Sequence, residues 1–209
     1  MTSDLIGLAD LEHLYALSPE GQRLLFTEAH TTYRFTDEPV DEDRLRAIWE
    51  LLKWAPTASN VSPLRVLFIR SAEAKQRLLP FLTPPNKPKS ESAAVVAVLA
   101  ADNDFAEYVP RLWPAIPQMK ELLEANPGIR DENATFNATL QSAYFLLAVR
   151  ATGLAAGPMK GFDAKGVDAE FFSDGRWRSV LVVNIGWAAE DGTTERLPRL
   201  EYEEAVRFV

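Results

Sequence analysis

The sequence contains no cysteine among its 209 residues. This absence excludes a disulfide framework, a thiolate nucleophile and a cysteine-ligated metal site. Histidine is scarce as well, since only His13 and His30 occur, far apart and without a helix-spaced carboxylate partner. Zinc sites need several ligands at short, regular spacing. The sequence therefore predicts no metal site.

Long apolar runs and an excess of positive charge are also missing. No apolar run approaches the roughly 20 residues that a membrane span needs, and residues 1–21 carry acids without the basic region that opens a signal peptide. The formal net charge is −8, which argues against nucleic acid as a partner because phosphate binding needs a basic face. These features predict a cytoplasmic protein without membrane or nucleic-acid partners.

The apolar content and its periodicity predict a folded domain with both helices and strands. Apolar residues make up 47% of the chain, enough to bury a full core in one domain. Three apolar runs are typical of buried strands and cover Arg65–Arg70, Ala94–Ala100 and Arg178–Trp187. Caps and prolines predict helices over about residues 18–29, 41–55, 71–82, 132–151 and 163–172, with a short helix in the tail. The fold class is therefore α+β, a small sheet wrapped by helices.

Three segments between these elements are less regular. Composition predicts a linker at Thr83–Ser90, short helical pieces at Phe105–Pro117 and a loop at Gly157–Phe162. The sequence has no glycine-rich turn from a strand into a helix, so a Rossmann dinucleotide site and a P-loop are both excluded.

Two of the predicted helices carry apolar residues at helical spacing. In the second helix a buried stripe is predicted to contain Leu45, Ile48, Trp49 and Leu52. In the long helix the residues that share one face are Phe136, Leu140, Ala143, Tyr144, Leu147 and Ala151. Gly153 fits a cap at the end of the long helix.

Four segments, in this order, resemble one family of proteins. They are His30–Val40, Trp54–Pro63, Gly157–Asp163 and Arg196–Leu200. Together they resemble the nitroreductase family, and are most similar to its subgroup of malonic semialdehyde (3-hydroxypropanoate-forming) reductases. The resemblance covers roughly residues 25–209, so it implies one FMN-binding domain there, preceded by an N-terminal helical extension over residues 1–24. It also implies a small, mostly antiparallel sheet and an intertwined homodimer.

The resemblance implies FMN as the cofactor, bound at the dimer interface in sites built from both chains. Four residues of one loop would reach the flavin of the partner subunit, and they are Pro56, Thr57, Ala58 and Asn60. Loops held on a rigid scaffold commonly carry binding residues, although these residues alone are also typical of a plain helix-to-strand connection.

Two further segments would face the flavin ring. The loop formed by Pro158, Met159, Lys160 and Gly161 would direct the main-chain N–H of Lys160 at flavin N5, and its glycines permit close approach to a flat ring. Asn86 and Lys89 have the spacing of a family pair that precedes the second strand. An amide suits the flavin pyrimidine edge, and a lysine would stabilise the anionic reduced flavin. From composition alone, the same segment could be a solvated proline-rich loop.

The phosphate of FMN would meet the first and last of the four segments. Arg196 or Arg199 could make a bidentate contact with it. In the opening motif Thr31 would take the role of the family's serine, His30 sits where the subgroup has its arginine, and Tyr33 stands where a basic or amide residue is expected. Histidine is a weaker phosphate ligand than arginine.

The function implied is an FMN-dependent NAD(P)H oxidoreductase. NADH or NADPH would pass hydride to flavin N5, and a small carbonyl such as malonic semialdehyde, a nitro compound or a quinone would then accept it. Lys89 and Lys160 would be the catalytic residues. Two alternatives remain open from the sequence: an FMN-dependent oxidase or dehydrogenase of a biosynthetic intermediate, and a flavin-free dimeric binding protein. The segment 105–119 is predicted either to cover the pocket or to pack in the core.

Overall fold

A four-stranded antiparallel sheet lies at the centre of the fold in the computed structural model, which describes residues 8–209. The first seven residues of the predicted N-terminal extension therefore lie outside the described residues. The strands are β1 Leu64–Ile69, β2 Val95–Asp102, β3 Ala155–Met159 and β4 Trp177–Gly186. Their order across the sheet is β1-β2-β4-β3, and β2 is buried along its whole length.

The three predicted strands are present within about two residues of their predicted bounds. The prediction of a loop at Gly157–Phe162 was wrong for its first half. Its first three residues belong to β3, in which Gly157 pairs with Asn184 and Pro158 with Val183. Glycine and proline are both depleted in strands, so the residues of β3 did not indicate a strand. β3 lies at the edge of the sheet, where the missing N–H of a proline is tolerated.

The helices surround this sheet. They are α1 Pro19–Gln22, α2 Glu42–Leu52, α3 Ala72–Leu78, α4 Lys87–Ser92, α5 Val109–Leu112, α6 Met119–Ala125, α7 Pro127–Ala151, α8 Ala164–Phe171 and α9 Tyr202–Ala205. A π-helical segment, Arg23–Thr27, continues α1. Single 3-10 segments cover Leu8–Leu14, Ala58–Asn60, Leu79–Phe81, Pro84–Asn86 and Phe105–Tyr108.

Local capping chemistry explains where several helices begin and end. The side chain of Ser18 accepts a hydrogen bond from Gly21 N at 3.2 Å, Asp41 accepts from Arg44 N at 2.7 Å, and Ser71 accepts from Ala74 N at 3.1 Å. Gly153 follows α7 with a φ of +81°, a left-handed conformation that favours glycine. These three helix starts and this helix end confirm the predictions made from the sequence.

The prediction of a linker at Thr83–Ser90 was wrong, because the segment is helical. A 3-10 turn over Pro84–Asn86 leads directly into α4, and each element has proline in its first turn. Proline fits the first turn of a helix because the N–H that it lacks would have no intrahelical partner. The segment therefore holds Asn86 and Lys89 on a defined helical element.

The long helix α7 packs against α2 and the sheet. The face that it buries is not the one formed by Phe136, Leu140 and Tyr144. Its buried residues are Ala134, Asn137, Ala138, Gln141, Ser142, Phe145, Ala148 and Val149. By contrast, Phe136 and Tyr144 are 64% and 39% exposed. In α2, Trp49 is 43% exposed, so it does not complete the buried stripe predicted there. No helix within residues 8–209 is long and apolar enough to cross a membrane.

Candidate functional site

Two adjoining cavities contain most of the residues that the sequence predicted for a site. The first, which we call the β3 pocket, has a volume of about 300 Å³ and is lined by Thr31, Thr32, Tyr33, Asn86, Lys89, Gly157, Pro158, Met159 and Lys160. The second, which we call the arginine pocket, has a volume of about 400 Å³. Thr31 and Tyr33 line both pockets, so the two pockets adjoin each other at these residues.

Asn86 and Lys89 are joined to each other and to the segment after β3. Lys89 Nζ donates to Asn86 Oδ1 at 3.1 Å, and Asn86 Nδ2 donates to Gly161 O at 3.1 Å. The ammonium of Lys89 also lies 4.7 Å from the centre of the Tyr33 ring, a cation–π contact. With Asn86 buried and its amide held at both ends, a positive charge is fixed at the wall of the β3 pocket.

A buried polar pair beneath the pocket was missed by the sequence reasoning. Ser90 Oγ donates to Asn184 Oδ1 at 2.9 Å, and both side chains are buried. The contact ties α4 to β4, the strand that pairs with β3. A serine and an asparagine so far apart in the chain carry no local signal of this contact.

Two glycines allow close approaches that shape the β3 pocket. A Cβ atom on Gly157 would lie 2.4 Å from the main-chain oxygen of Thr32, and one on Gly161 would lie 2.8 Å from Thr83 Oγ1. Thr32 N also donates to Ala156 O at 3.0 Å, so this segment of the chain rests directly against β3.

Replacing Gly157 by alanine is expected to destabilise the protein by about 1–3 kcal/mol, because the new methyl group must displace main-chain atoms. For a chain of this size the loss should lower the thermal midpoint by roughly 2–4 °C per kcal/mol. Gly128→Ala is the matched control, since a Cβ there has no heavy atom within 4 Å. Equal thermal midpoints for the Gly157→Ala variant and the wild type would contradict the packing described here.

Lys160 lines the β3 pocket without directing its charge into it. Its Nζ donates to Val180 O at 3.0 Å and lies 5.2 Å from the centre of the Phe162 ring. The side chain is therefore engaged with β4 and with Phe162, two residues further along the chain. The part of Lys160 that remains for a ligand is its main chain.

The arginine pocket is bordered by the π-helical segment, the opening motif, α7 and the tail. Its lining residues are Leu25, Phe26, Ala29, His30, Thr31, Tyr33, Leu147, Arg150, Thr194, Glu195, Arg196, Leu197 and Arg199. The structure thus brings the predicted His30, Arg196 and Arg199 together. Arg196 Nη2 donates to Thr27 O at 2.7 Å and to Ala29 O at 3.1 Å, which ties the tail to the opening motif.

Arg150 is a member of this cavity that the sequence reasoning missed. It lies in the last turn of α7, and its Nη1 donates to Leu25 O at 3.4 Å. Burial, and to a lesser degree the charge of Arg196, lowers the pKa of the Arg150 guanidinium. A basic residue near a helix end is common for electrostatic reasons, so no pattern in the sequence indicated that this one faces a cavity.

The loop with Pro56, Thr57, Ala58 and Asn60 lines neither pocket. Two hydrogen bonds hold the loop in place. Ala58 N donates to Asn137 Oδ1 at 2.8 Å, and Asn60 Nδ2 donates to Leu112 O at 2.8 Å.

The same loop stores backbone strain. Ser59, Asn60 and Ser62 have φ values of 55°, 53° and 42°. Residues other than glycine at such φ values cost free energy and persist only where the surroundings hold them, which is common at ligand sites.

The segment 105–119 divides into two parts. Phe105, Ala106 and Val109 are buried in the main core, while Pro114, Ala115 and Pro117 are exposed. Core packing therefore accounts for the first part only, and the second part remains available to cover a pocket.

A buried ion cluster holds the first part in place. Asp102, at the end of β2, is fully buried and accepts from Arg176 Nε at 2.9 Å and from Arg65 Nη2 at 2.6 Å. Arg176 also pairs with Glu107 in the 3-10 turn. The hydrogen bond to Asp102, and after it the one to Glu107, raises the pKa of the Arg176 guanidinium.

The chain matches known proteins in sequence and in fold. Residues 27–187 match the family described as "Nitroreductase family". A Streptomyces coelicolor protein, provisionally named NADH dehydrogenase/NAD(P)H nitroreductase, is 54% identical over 187 residues, which cover 90% of this chain and 93% of that protein. The chain therefore belongs to the nitroreductase family.

Solved structures agree on the fold. A provisionally named nitroreductase from Bacillus subtilis has a TM-score of 0.80 at 20% identity, over 91% of this chain and 99% of that one. The FMN complex of a provisionally named nitroreductase from Exiguobacterium sibiricum has a TM-score of 0.76 at 17% identity, over 92% and 98% of the two chains. The predicted nitroreductase-like α+β fold is thus confirmed.

Proposed function

We propose that this protein is an FMN-dependent NAD(P)H oxidoreductase that acts as a homodimer, with residues 25–209 as the FMN-binding domain. The observation that carries the proposal is that the two pockets adjoin each other at Thr31 and Tyr33. One end offers an amide, a fixed ammonium and main-chain groups, and the other offers three guanidinium groups. Membership of the nitroreductase family and the FMN complex of the Exiguobacterium protein support it.

The residues present fit the chemistry of FMN. A flavin offers donors and acceptors along its pyrimidine edge, and Asn86 and Lys89 supply both kinds of group at the β3 pocket. The flat ring requires main chain to approach closely, which Gly157 and Gly161 allow. The terminal phosphate requires cations, and the arginine pocket supplies them through Arg196 and Arg199.

When bound, FMN would supply the redox chemistry, in which hydride moves from a nicotinamide to an acceptor. The chain supplies position and electric field. Lys89 places a positive charge where negative charge develops, and a fixed dipole or charge needs no reorganisation during the reaction. The main-chain N–H of Lys160, directly after β3, would be directed at flavin N5. The Lys160 side chain is engaged at Val180 O.

The dimer completes the site in this proposal. The strained loop with Pro56, Thr57, Ala58 and Asn60 lines neither pocket of its own chain, and we infer that it contacts the flavin of the partner subunit. The apolar face formed by Phe136, Leu140 and Tyr144 is exposed on the long helix, and burial of such a face stabilises an interface. In the tail, Leu197, Leu200 and Phe208 are exposed as well.

We propose that the acceptor is a small carbonyl of the malonic semialdehyde type, with nitro compounds and quinones as further acceptors. The resemblance of the four segments to the malonic semialdehyde reductase subgroup supports the carbonyl. The name of the Streptomyces relative supports nitro reduction for that protein.

The test is steady-state oxidation of NADH and of NADPH by the flavin-loaded protein, with malonic semialdehyde, a nitroaromatic and a quinone in turn. Oxidation that depends on the acceptor and follows ping-pong kinetics would support the proposal. An absence of nicotinamide oxidation with every acceptor would contradict it and would favour an oxidase. The acceptor with the highest kcat/KM identifies the preferred class.

A further inference from the structure

The arginine pocket carries positive charge that its own chain does not neutralise. Among residues 11–209, whose side chains are described, the salt bridges include no partner for Arg150, Arg196 or Arg199. Their hydrogen bonds within the described residues go to main-chain carbonyls. Glu195 is the one carboxylate among the residues that line the cavity, and His30 lines it as well. In a chain with a net charge of −8, three guanidinium groups around one cavity are suited to a multiply charged anion.

Arg150 differs from the other two arginines in how it is held. It projects from the end of a 25-residue helix that packs on the sheet, and it is partly buried. Arg196 and Arg199 lie in the exposed tail. A side chain on a rigid helix loses less conformational freedom on binding than one on an exposed segment, so it contributes more to affinity.

We propose that Arg150 binds the terminal phosphate of FMN and takes the role that the arginine of the family's opening motif plays where this chain has His30. The inference rests on the proposed function, because it needs FMN to span the two adjoining pockets. Thr31 and Tyr33 connect the arginine pocket to the β3 pocket, so a ligand whose ring lies against β3 can extend its charged end to Arg150. A bound dianion would also offset the burial that disfavours this guanidinium.

The experiment compares FMN with riboflavin, which has the same ring and no phosphate. The apoprotein is titrated with each flavin, and dissociation constants are read from flavin fluorescence. For Arg150→Met the Kd of FMN is expected to rise roughly 10- to 100-fold, as for loss of a charged hydrogen-bonding partner. The Kd of riboflavin should change by less than about threefold, within the scatter of such contacts. Arg150→Lys should lie between, because it keeps the charge but not the bidentate geometry.

A matched control and the opposite results complete the test. Arg46→Met removes an exposed arginine of α2, whose carboxylate partner is Glu42, and should leave both dissociation constants unchanged. If Arg150 only interacts with the dipole of α7, Arg150→Met would lower the thermal midpoint and weaken both flavins equally, which would overturn the proposal. An unchanged Kd for FMN would overturn it too. Wild-type protein that binds neither flavin would instead overturn the proposed function, and the role of Arg150 with it.

Discussion

Replacing Lys89 by methionine is expected to slow acceptor reduction by roughly 10²- to 10³-fold in kcat, the range seen when one preorganised electrostatic group is removed. Lys89 is held by Asn86 Oδ1 and by the ring of Tyr33, so its charge cannot be replaced by a neighbouring side chain without rearrangement. The effect is measured as nicotinamide oxidation at saturating flavin and acceptor. The midpoint potential of the bound flavin should fall as well, because the reduced anion loses its positive partner.

Lys87→Met is the control for this prediction. Lys87 lies in the same helix, two positions earlier, and does not line the β3 pocket. Its replacement should leave kcat and the flavin potential unchanged. Equal rates for Lys89→Met and the wild type would show that the ammonium has no part in the reaction.

Placing charge on the exposed face of α7 is expected to convert the protein to a monomer that loses FMN. Leu140→Asp combined with Tyr144→Asp puts two carboxylates on the apolar face of α7. Leu140 and Tyr144 are 36% and 39% exposed on that face. Burial of unpaired charge in an interface is strongly unfavourable. Because the site is shared between chains in our proposal, the Kd of FMN should rise at least about tenfold on dissociation.

Light scattering gives the mass, and flavin titration gives the affinity. Leu122→Asp is the control, since Leu122 is an exposed leucine of α6 outside the α7 face, and it should leave both quantities unchanged. A monomer that keeps its affinity for FMN would refute the shared site. An unaltered dimer would place the interface elsewhere on the surface.

Local chemistry explains which parts of the fold could be predicted from the sequence. Ser18, Asp41 and Ser71 are caps because their side chains accept from N–H groups three residues ahead. β2 was predicted because the apolar run Ala94–Ala100 is typical of a buried strand, and all eight residues of β2 are buried in the structure. The edge strand β3 was missed because Gly157 and Pro158 disfavour strands locally, and its pairing with β4 is a tertiary contact.

The faces of α7 show why packing could not be read from apolar residues alone. The residues that share an apolar face, Phe136 and Tyr144 among them, lie at the surface, whereas Asn137 and Gln141 are buried. Asn137 and Gln141 are satisfied by main-chain donors at Ala58 and Leu64. A partner that covers the apolar face would explain the pattern, but one sequence does not distinguish an interface from a core.

The candidate site was anticipated in its parts rather than in its arrangement. Family motifs placed Asn86, Lys89 and Arg196, and the structure puts them around two adjoining cavities. Arg150 was missed because the direction of a side chain on a helix depends on how the helix packs. The loop at Pro56 remains a prediction, since a single chain does not show what it contacts in a partner.

The most direct test of this account is a visible absorption spectrum of the FMN-loaded protein, recorded before and after anaerobic addition of NADPH or NADH. We expect a flavin spectrum whose long-wavelength bands bleach on addition and return when an acceptor is supplied. A protein that shows no flavin spectrum after incubation with FMN, or a bound flavin that neither nicotinamide bleaches, would contradict the account.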